Sequence, residues 1–510
     1  MNYVFGAEQT VESQRTSFPQ RLVSIPGGRT LSMTFKSKID GSAQPFLAKV
    51  PDGYSPEKKW PLLVTLHGLG DGPILAPDIE SMVQIGPYGR GSVWYTGIGA
   101  QDVFECMETA KKVFSIDETK VYLCGFSMGG AGTFNLGLSY PDLWAACVPV
   151  CGRCDDVDLV ENGRHLAFWV NAGSEDRVLP PIYSKRAFDR ARKLGFSQWD
   201  YSEHQGMAHS FSIDWKGVEA WLLTKKAITN PKCVSLTLND LSANRAYWIE
   251  ITGLKKYGSM ARIAVAIQGQ KIEVTTANVS GYILRLDNNL VDLNKEVEIQ
   301  ENGSTAFKGH LDGDGSFAKP QKRPEALLKR PGLCGPLWDI YSSSCVLAYG
   351  TNCDNDSLVE AAKRCAESFT DPGWMPKISF RIVPDTGVTQ QDIENNNLVL
   401  FGNVHTNSIL AKISERLPVR MERNTIVGGG KEYEGENIGY LLIYPNPLNS
   451  RKYAAIFAGN TAETIDCFNS IWPRLNSRPK SIDVGIFEFN TDAGSVKWHF
   501  TKVFGTYWDW

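Results

Sequence analysis

The chain has 510 residues, 42% of them apolar and 21% charged, with a net charge of −3. That length exceeds one ordinary core, so two to four domains are expected, and the balance is that of a globular protein. The slight negative charge excludes nucleic-acid binding driven by electrostatics, and no apolar run is long enough to cross a membrane as a helix, so neither partner is expected.

Residues 1–28 read as a polar arm. Its first residues lack the basic region and apolar core of an intact signal peptide. A secreted or periplasmic location would follow if such a peptide had been removed, and a cytoplasmic one otherwise. LSMTF and FLAKV then read as two antiparallel strands around a turn at Asp40-Gly41. Residues 61–66 (PLLVTL) form a continuous apolar strand leading into His67-Gly68-Leu69-Gly70-Asp71-Gly72. A loop of this kind can leave backbone N–H groups facing a substrate. His67 is expected to anchor that loop. Residues 76–100, rich in glycine and aromatics, read as a long pocket-lining connection. In it, Trp94 and Tyr95 either stack on a ring-bearing substrate or pack beneath the loop. Helical spacing follows over 102–114.

Residues 120–133 (KVYLCGFSMGGAGT) organise the rest. VYLCG is a short buried strand, and Gly125-Phe126-Ser127-Met128-Gly129 follows at once, opening a helix of small residues. This is G-x-S-x-G in the strand–turn–helix context that gives it chemical meaning. The glycines make room for a tight turn that lifts the Ser127 hydroxyl to the carboxyl edge of the sheet. Further strands at 143–150, 166–172 and 198–202 alternate with helices at 181–194 and 214–225, which indicates a mostly parallel sheet covered on both faces.

A serine hydroxyl is a weak nucleophile and needs a base oriented by a third group. Of seven histidines, only His204 and His209 follow Ser127 just beyond a sheet strand and before the closing helix. His209, deeper in the loop, is the expected base. Asp176, in the loop after LAFWVNAG, is preferred over Glu175 as the acid. Asp155, Asp156 and Asp158 read as solvated turn charges. Backbone N–H groups of Met128 and Leu69 would form the oxyanion hole. No cofactor and no metal site is expected: Cys151 and Cys154 form a C-x-x-C without a second pair. For those two thiols a local disulfide and two free cysteines both stand open.

From 231 to 318, short β-rich runs read as a small β-sandwich-like module. Residues 319–333 read as a linker, and 334–510 as an accessory α/β module without a phosphate-binding or dinucleotide signature. Trp338, Trp374 and Tyr507 to Trp510 read as exposed aromatics there. These later modules are expected to shape access to the pocket or to hold a polymeric substrate.

The stretches PLLVTLHGLGDG, DETKVYLCGFSMGGAGT, GSEDRVLP and GMAHSF, in that order, resemble the α/β-hydrolase superfamily. They are most similar to polyhydroxybutyrate-depolymerase-like, feruloyl and acetyl-xylan esterases, a branch bordering the prolyl-oligopeptidase-type hydrolases. The resemblance spans about residues 30–225, and residues 29–228 are taken as the catalytic domain. It implies an α/β-hydrolase fold and a serine esterase acting on small-molecule or polysaccharide esters. Short-peptide hydrolysis is the alternative, weakened because no β-propeller precedes the domain. The oligomeric state is open.

Overall fold

The computed structural model describes residues 28–319, 327–371, 373, 376–475 and 482–510. The expected arm up to residue 27, residues 320–326 of the linker, and Trp374 lie outside the described residues. The described chain divides into two compact units: residues 28–37 with 43–229, and residues 38–42 with 230–510.

The first unit is built on an eight-stranded mixed sheet. Its strands are β1 (Thr30–Lys36), β2 (Ala43–Lys49), β3 (Trp60–Leu66), β4 (Val83–Pro87), β5 (Ile116–Phe126), β6 (Ala146–Val150), β7 (Ala167–Gly173) and β8 (Trp199–His204). Their spatial order is β1-β2-β4-β3-β5-β6-β7-β8. The first two pairings are antiparallel, and all pairings from β4 onward are parallel. Its helices are α1 (Ile98–Val113), α2 (Met128–Ser139), α3 (Ile182–Lys193) and α4 (Trp215–Leu223).

Alternation along the central strands explains why both sheet faces are apolar. Leu62, Val64 and Leu66 of β3 and Val121 and Leu123 of β5 join one cluster with Val103 and Met107 of α1, Phe134 of α2 and Ala187 of α3. Leu63 of β3 and Tyr122 and Cys124 of β5 point the other way, into a cluster with Val218 and Leu222 of α4. A strand buried on both faces has to be apolar at every position, which is why PLLVTL and VYLCG read as unbroken runs. Each fully buried Leu or Val here contributes about 1.5–3 kcal/mol of transfer free energy.

One strand escapes the sequence pattern. Residues 83–87 (VQIGP) lie inside the stretch read as a long pocket-lining connection, yet they form β4, buried throughout between β2 and β3. Glycine and proline at its end mask a run of only five residues. A Cβ at Gly86 would sit 1.9 Å from the Ile74 carbonyl oxygen, so the glycine is needed for close backbone approach.

In the second unit, a four-stranded sheet and a five-stranded sheet share one apolar cluster. Ile251, Tyr282 and Leu284 come from the first sheet, and Leu236, Ile263, Val274 and Ile299 from the second. A seven-stranded sheet follows, its strands Cys345–Tyr349, Arg381–Pro384, Asn397–Gly402 and Asn449–Gly459 parallel and the remaining three antiparallel. A small sheet of Val419–Glu422, Thr425–Gly428 and Lys431–Glu434 was not foreseen from the sequence. Trp508, read as exposed, is 2% exposed. Its ring lies 4.6 Å from Lys329 Nζ, which forms a fully buried ion pair with Asp483. An aromatic face over a buried cation replaces part of the lost hydration, so this tryptophan belongs to the interior.

Candidate active site

Ser127 sits where β5 ends and α2 begins, at φ 57° and ψ −115°. This is a costly conformation for a residue with a Cβ, and the surroundings enforce it. The Ser127 N–H donates to the Val150 carbonyl of β6 at 2.9 Å, and the Ser127 carbonyl accepts the first helical bond from Ala131 at 3.0 Å. A Cβ at Gly129 would lie 2.1 Å from the Leu66 carbonyl oxygen, and one at Gly125 would lie 2.4 Å from the Gly129 oxygen. The two glycines therefore let helix, turn and β3 close on one another. The N-terminal dipole of α2 points at the serine.

Asp176 lies in the loop after β7 and is almost fully buried. Its Oδ1 accepts the N–H groups of Val178 at 2.8 Å and Leu179 at 2.9 Å. Its Oδ2 faces His209 Nδ1 at 2.7 Å, and His209 Nε2 faces Ser127 Oγ at 2.9 Å. One imidazole thus bridges the carboxylate and the hydroxyl, with Phe126 packed at 5.2 Å from its ring centre. The His209 side chain is 20% exposed and that of Asp176 1%, so the pair is largely shielded from solvent screening.

The alternatives lie elsewhere. His204 Nε2 faces Asn171 Oδ1 at 3.0 Å, and its ring packs on Phe211. Glu175 is exposed. Asp155 pairs with Arg153, and Asp156 caps the turn that Val157 opens. His67 is buried, its Nδ1 2.7 Å from the Gly68 oxygen and its Nε2 2.8 Å from the Tyr88 oxygen, so it ties the His67–Gly72 loop to the chain after β4.

Met128 opens α2, where a first-turn N–H has no partner within the helix. Leu69 is 58% exposed in a turn closed by the Asp71 N–H on the Gly68 oxygen. A Cβ on Gly68 would lie 3.7 Å from the Phe126 ring, which sets this loop beside the elbow.

The aromatic pair divides. Trp94 is half-buried, with the Arg153 guanidinium 4.5 Å from its ring centre. Tyr95 is fully buried, its hydroxyl donating to the His67 oxygen at 3.1 Å. It is therefore a core residue and no platform for a substrate. The positive φ of both residues turns adjacent side chains apart, which the sequence does not announce.

Two features went unread in the sequence. The buried Cys151 at the end of β6 turns its thiol toward Asp176, and burial first, then the Asp176 charge, pushes that thiol up to about 12. Leu69, Val178, Ile182, Tyr183 and Met207 are large apolar side chains left exposed, on or next to the loops that carry the site. The only available signal was their position after strand ends.

No family model matches the chain. Among solved structures, it is similar to a thermostable esterase at 25% identity and TM-score 0.34, over 39% of this chain and 63% of that one. It is also similar to the CE1 ferulic acid esterase AmCE1/Fae1A from Anaeromyces mucronatus, at 16% identity and TM-score 0.32, over 41% and 96%. A third is a candidate dipeptidyl aminopeptidase IV from Bacteroides ovatus, at 14% identity and TM-score 0.33, over 39% and 36%. The chain thus spans less than two thirds of the length of the thermostable esterase.

Proposed function

We propose that this chain is a serine carboxylic-ester hydrolase whose nucleophile is Ser127. One observation carries the reading: a single imidazole, His209, lies within hydrogen-bond distance of both the Ser127 hydroxyl and the buried Asp176 carboxylate. A hydroxyl, a base and an orienting acid in that geometry are the requirements of acyl transfer.

In this mechanism Ser127 Oγ attacks the ester carbonyl while His209 Nε2 takes its proton. Asp176 holds Nδ1–H and stabilises the imidazolium that forms. The Met128 and Leu69 N–H groups receive the developing oxyanion, each worth about 10²–10³ in rate. The imidazolium then protonates the departing alcohol, and water, activated by the same base, releases the acid. No step calls on a metal or a cofactor.

The exposed apolar side chains beside the site favour an apolar acyl group, and Trp94 is retained as a substrate contact. With the sequence resemblance, this points to feruloyl or acetyl esters of plant polysaccharides. The two facing sheets of residues 233–318 are proposed as a β-sandwich-like module.

A panel of p-nitrophenyl esters of increasing chain length, cinnamoyl esters, acetylated xylan and proline-containing peptides tests the assignment. Turnover of esters with the cinnamoyl or acetyl members preferred supports it. Peptide cleavage without ester turnover would replace it with the peptidase reading.

A further inference from the structure

The mechanism above leaves Cys151 without a task, yet its surroundings are unusually specific. The residue is 1% exposed and held at φ 47°, and its backbone N–H donates to the Asn171 oxygen of β7 at 2.9 Å. The backbone is therefore fixed, and the thiol can shift only about the side-chain torsion. Its thiol faces Asp176, a carboxylate that also faces His209 Nδ1. One ligand atom from each of Cys151, Asp176 and His209 lies within 4.8 Å of the other two. Among the described residues this is the group of three that could hold a metal ion.

Thiolate, imidazole and carboxylate together are a donor set for a borderline-soft divalent cation. Zinc bonds sulfur at about 2.3 Å, nitrogen at about 2.0–2.1 Å and oxygen at about 2.0–2.2 Å. Those lengths in tetrahedral geometry need donors about 3.3–3.8 Å apart, so side-chain shifts of about 1 Å would close the present triangle on an ion. Because the three donors follow three adjacent strands, β6, β7 and β8, no C-x-x-C…H-x-x-H spacing announces them. The partly exposed His209 and the exposed Met207 and Ala208 beside it leave a way in. A fourth position would be taken by water, as where three protein ligands hold zinc.

We propose that Cys151, Asp176 and His209 form an inhibitory site for one zinc ion, distinct from any catalytic metal. Binding breaks the Cys151 S–H bond as the Zn–S bond forms, and the proton leaves to solvent. His209 stays a neutral imidazole: its proton passes from Nδ1 to Nε2 by exchange with solvent, and the freed Nδ1 lone pair forms the Zn–N bond. No electron is transferred. The ion takes the carboxylate from His209 and leaves a proton on Nε2, which then cannot accept the Ser127 proton, so the relay is lost while the ion stays bound. The inhibition rests on the esterase reading; the binding does not.

Zinc chloride is titrated into the full chain by calorimetry, for wild type, Cys151→Ser and His209→Ala. In parallel, zinc is tested for protection of Ser127 from a fluorophosphonate probe. The expected result is one saturable equivalent in the wild type that both variants lose or bind far more weakly. Loss of an outer-shell partner alone costs about 10–100-fold in metal affinity, and loss of a ligand should cost more. Labelling should fall with the same midpoint as binding. A Cys151→Ser protein that binds zinc as the wild type does, or a wild type with no saturable binding, overturns the site. If Cys151→Ser does not fold, His209→Ala decides: unchanged binding there is equally fatal. An inert serine in a chain that still binds zinc through these residues would refute the esterase reading and leave the site standing.

Discussion

His209 Nε2 lies 2.9 Å from Ser127 Oγ, although 82 residues of chain separate them. The sheet makes this possible: β5 through β8 run parallel and adjacent, so the loops after β5, β7 and β8 open on the same carboxyl edge. Ligand and reaction sites gather at that edge in open α/β sheets for the same reason.

Replacing Ser127 with Ala should lower ester turnover by about 10⁴–10⁶, because the members of such a relay act as a unit. Stability should change little, since the lost hydroxyl is half-buried and its partner is already partly solvated. Fluorophosphonate labelling followed by intact mass checks it. A labelled Ser127→Ala protein would place the nucleophile elsewhere.

His209→Ala should be as damaging as Ser127→Ala, whereas His204→Ala should retain most turnover. His204 loses only its contact with Asn171 and its packing on Phe211, about 1 kcal/mol of stability. Steady-state kinetics and urea unfolding on both variants separate the two roles. Equal loss of kcat in the His204 variant would make it part of the relay.

Tyr95→Phe should cost about 1–3 kcal/mol, because the buried His67 carbonyl loses its donor. KM for cinnamoyl esters should stay unchanged, since a fully buried ring cannot touch the substrate. A raised KM at unchanged stability would restore Tyr95 to the pocket.

Asp102 gives the first unit a pH dependence. The carboxylate is buried, accepts the Gly89 N–H at 2.8 Å and faces Arg90 Nε at 3.4 Å. Burial outweighs Arg90, and the carboxyl is lifted to about 7. The unfolded chain releases this proton near about 3.9. Between those values the folded state holds the extra proton, so Asp102 makes stability fall as pH rises from about 4 to about 7. Above that window both states are ionised and the contribution is flat. Thermal melts across the window, for wild type and Asp102→Asn, measure it: the difference between the two curves should slope downward, and an upward slope would contradict the assignment.

EDTA should not lower ester turnover, because the proposed relay from Ser127 to Asp176 runs without a metal. Activity lost with chelator and restored by a divalent ion would contradict this.

From the sequence alone came the features that local chemistry dictates. VYLCGFSMG determined a buried strand, a turn too tight for a Cβ at Gly125 or Gly129, and a helix start behind Ser127. Those outcomes depend on neighbours a few residues apart. Only the tertiary structure shows that His209 rather than His204 lies beside Ser127, and Asp176 rather than Glu175 beside His209. His204 ends β8 and His209 lies in the loop after it, while Glu175 and Asp176 share the loop after β7; a side chain's direction at these positions depends on anchors supplied by other strands. For Tyr95 the sequence left substrate stacking and packing beneath the loop both open, and the turn at Trp94 and Tyr95 sends it under the loop onto the His67 carbonyl. Cys151 meets Asp176 because β6 and β7 are neighbours in register, and no linear spacing records which strands lie side by side.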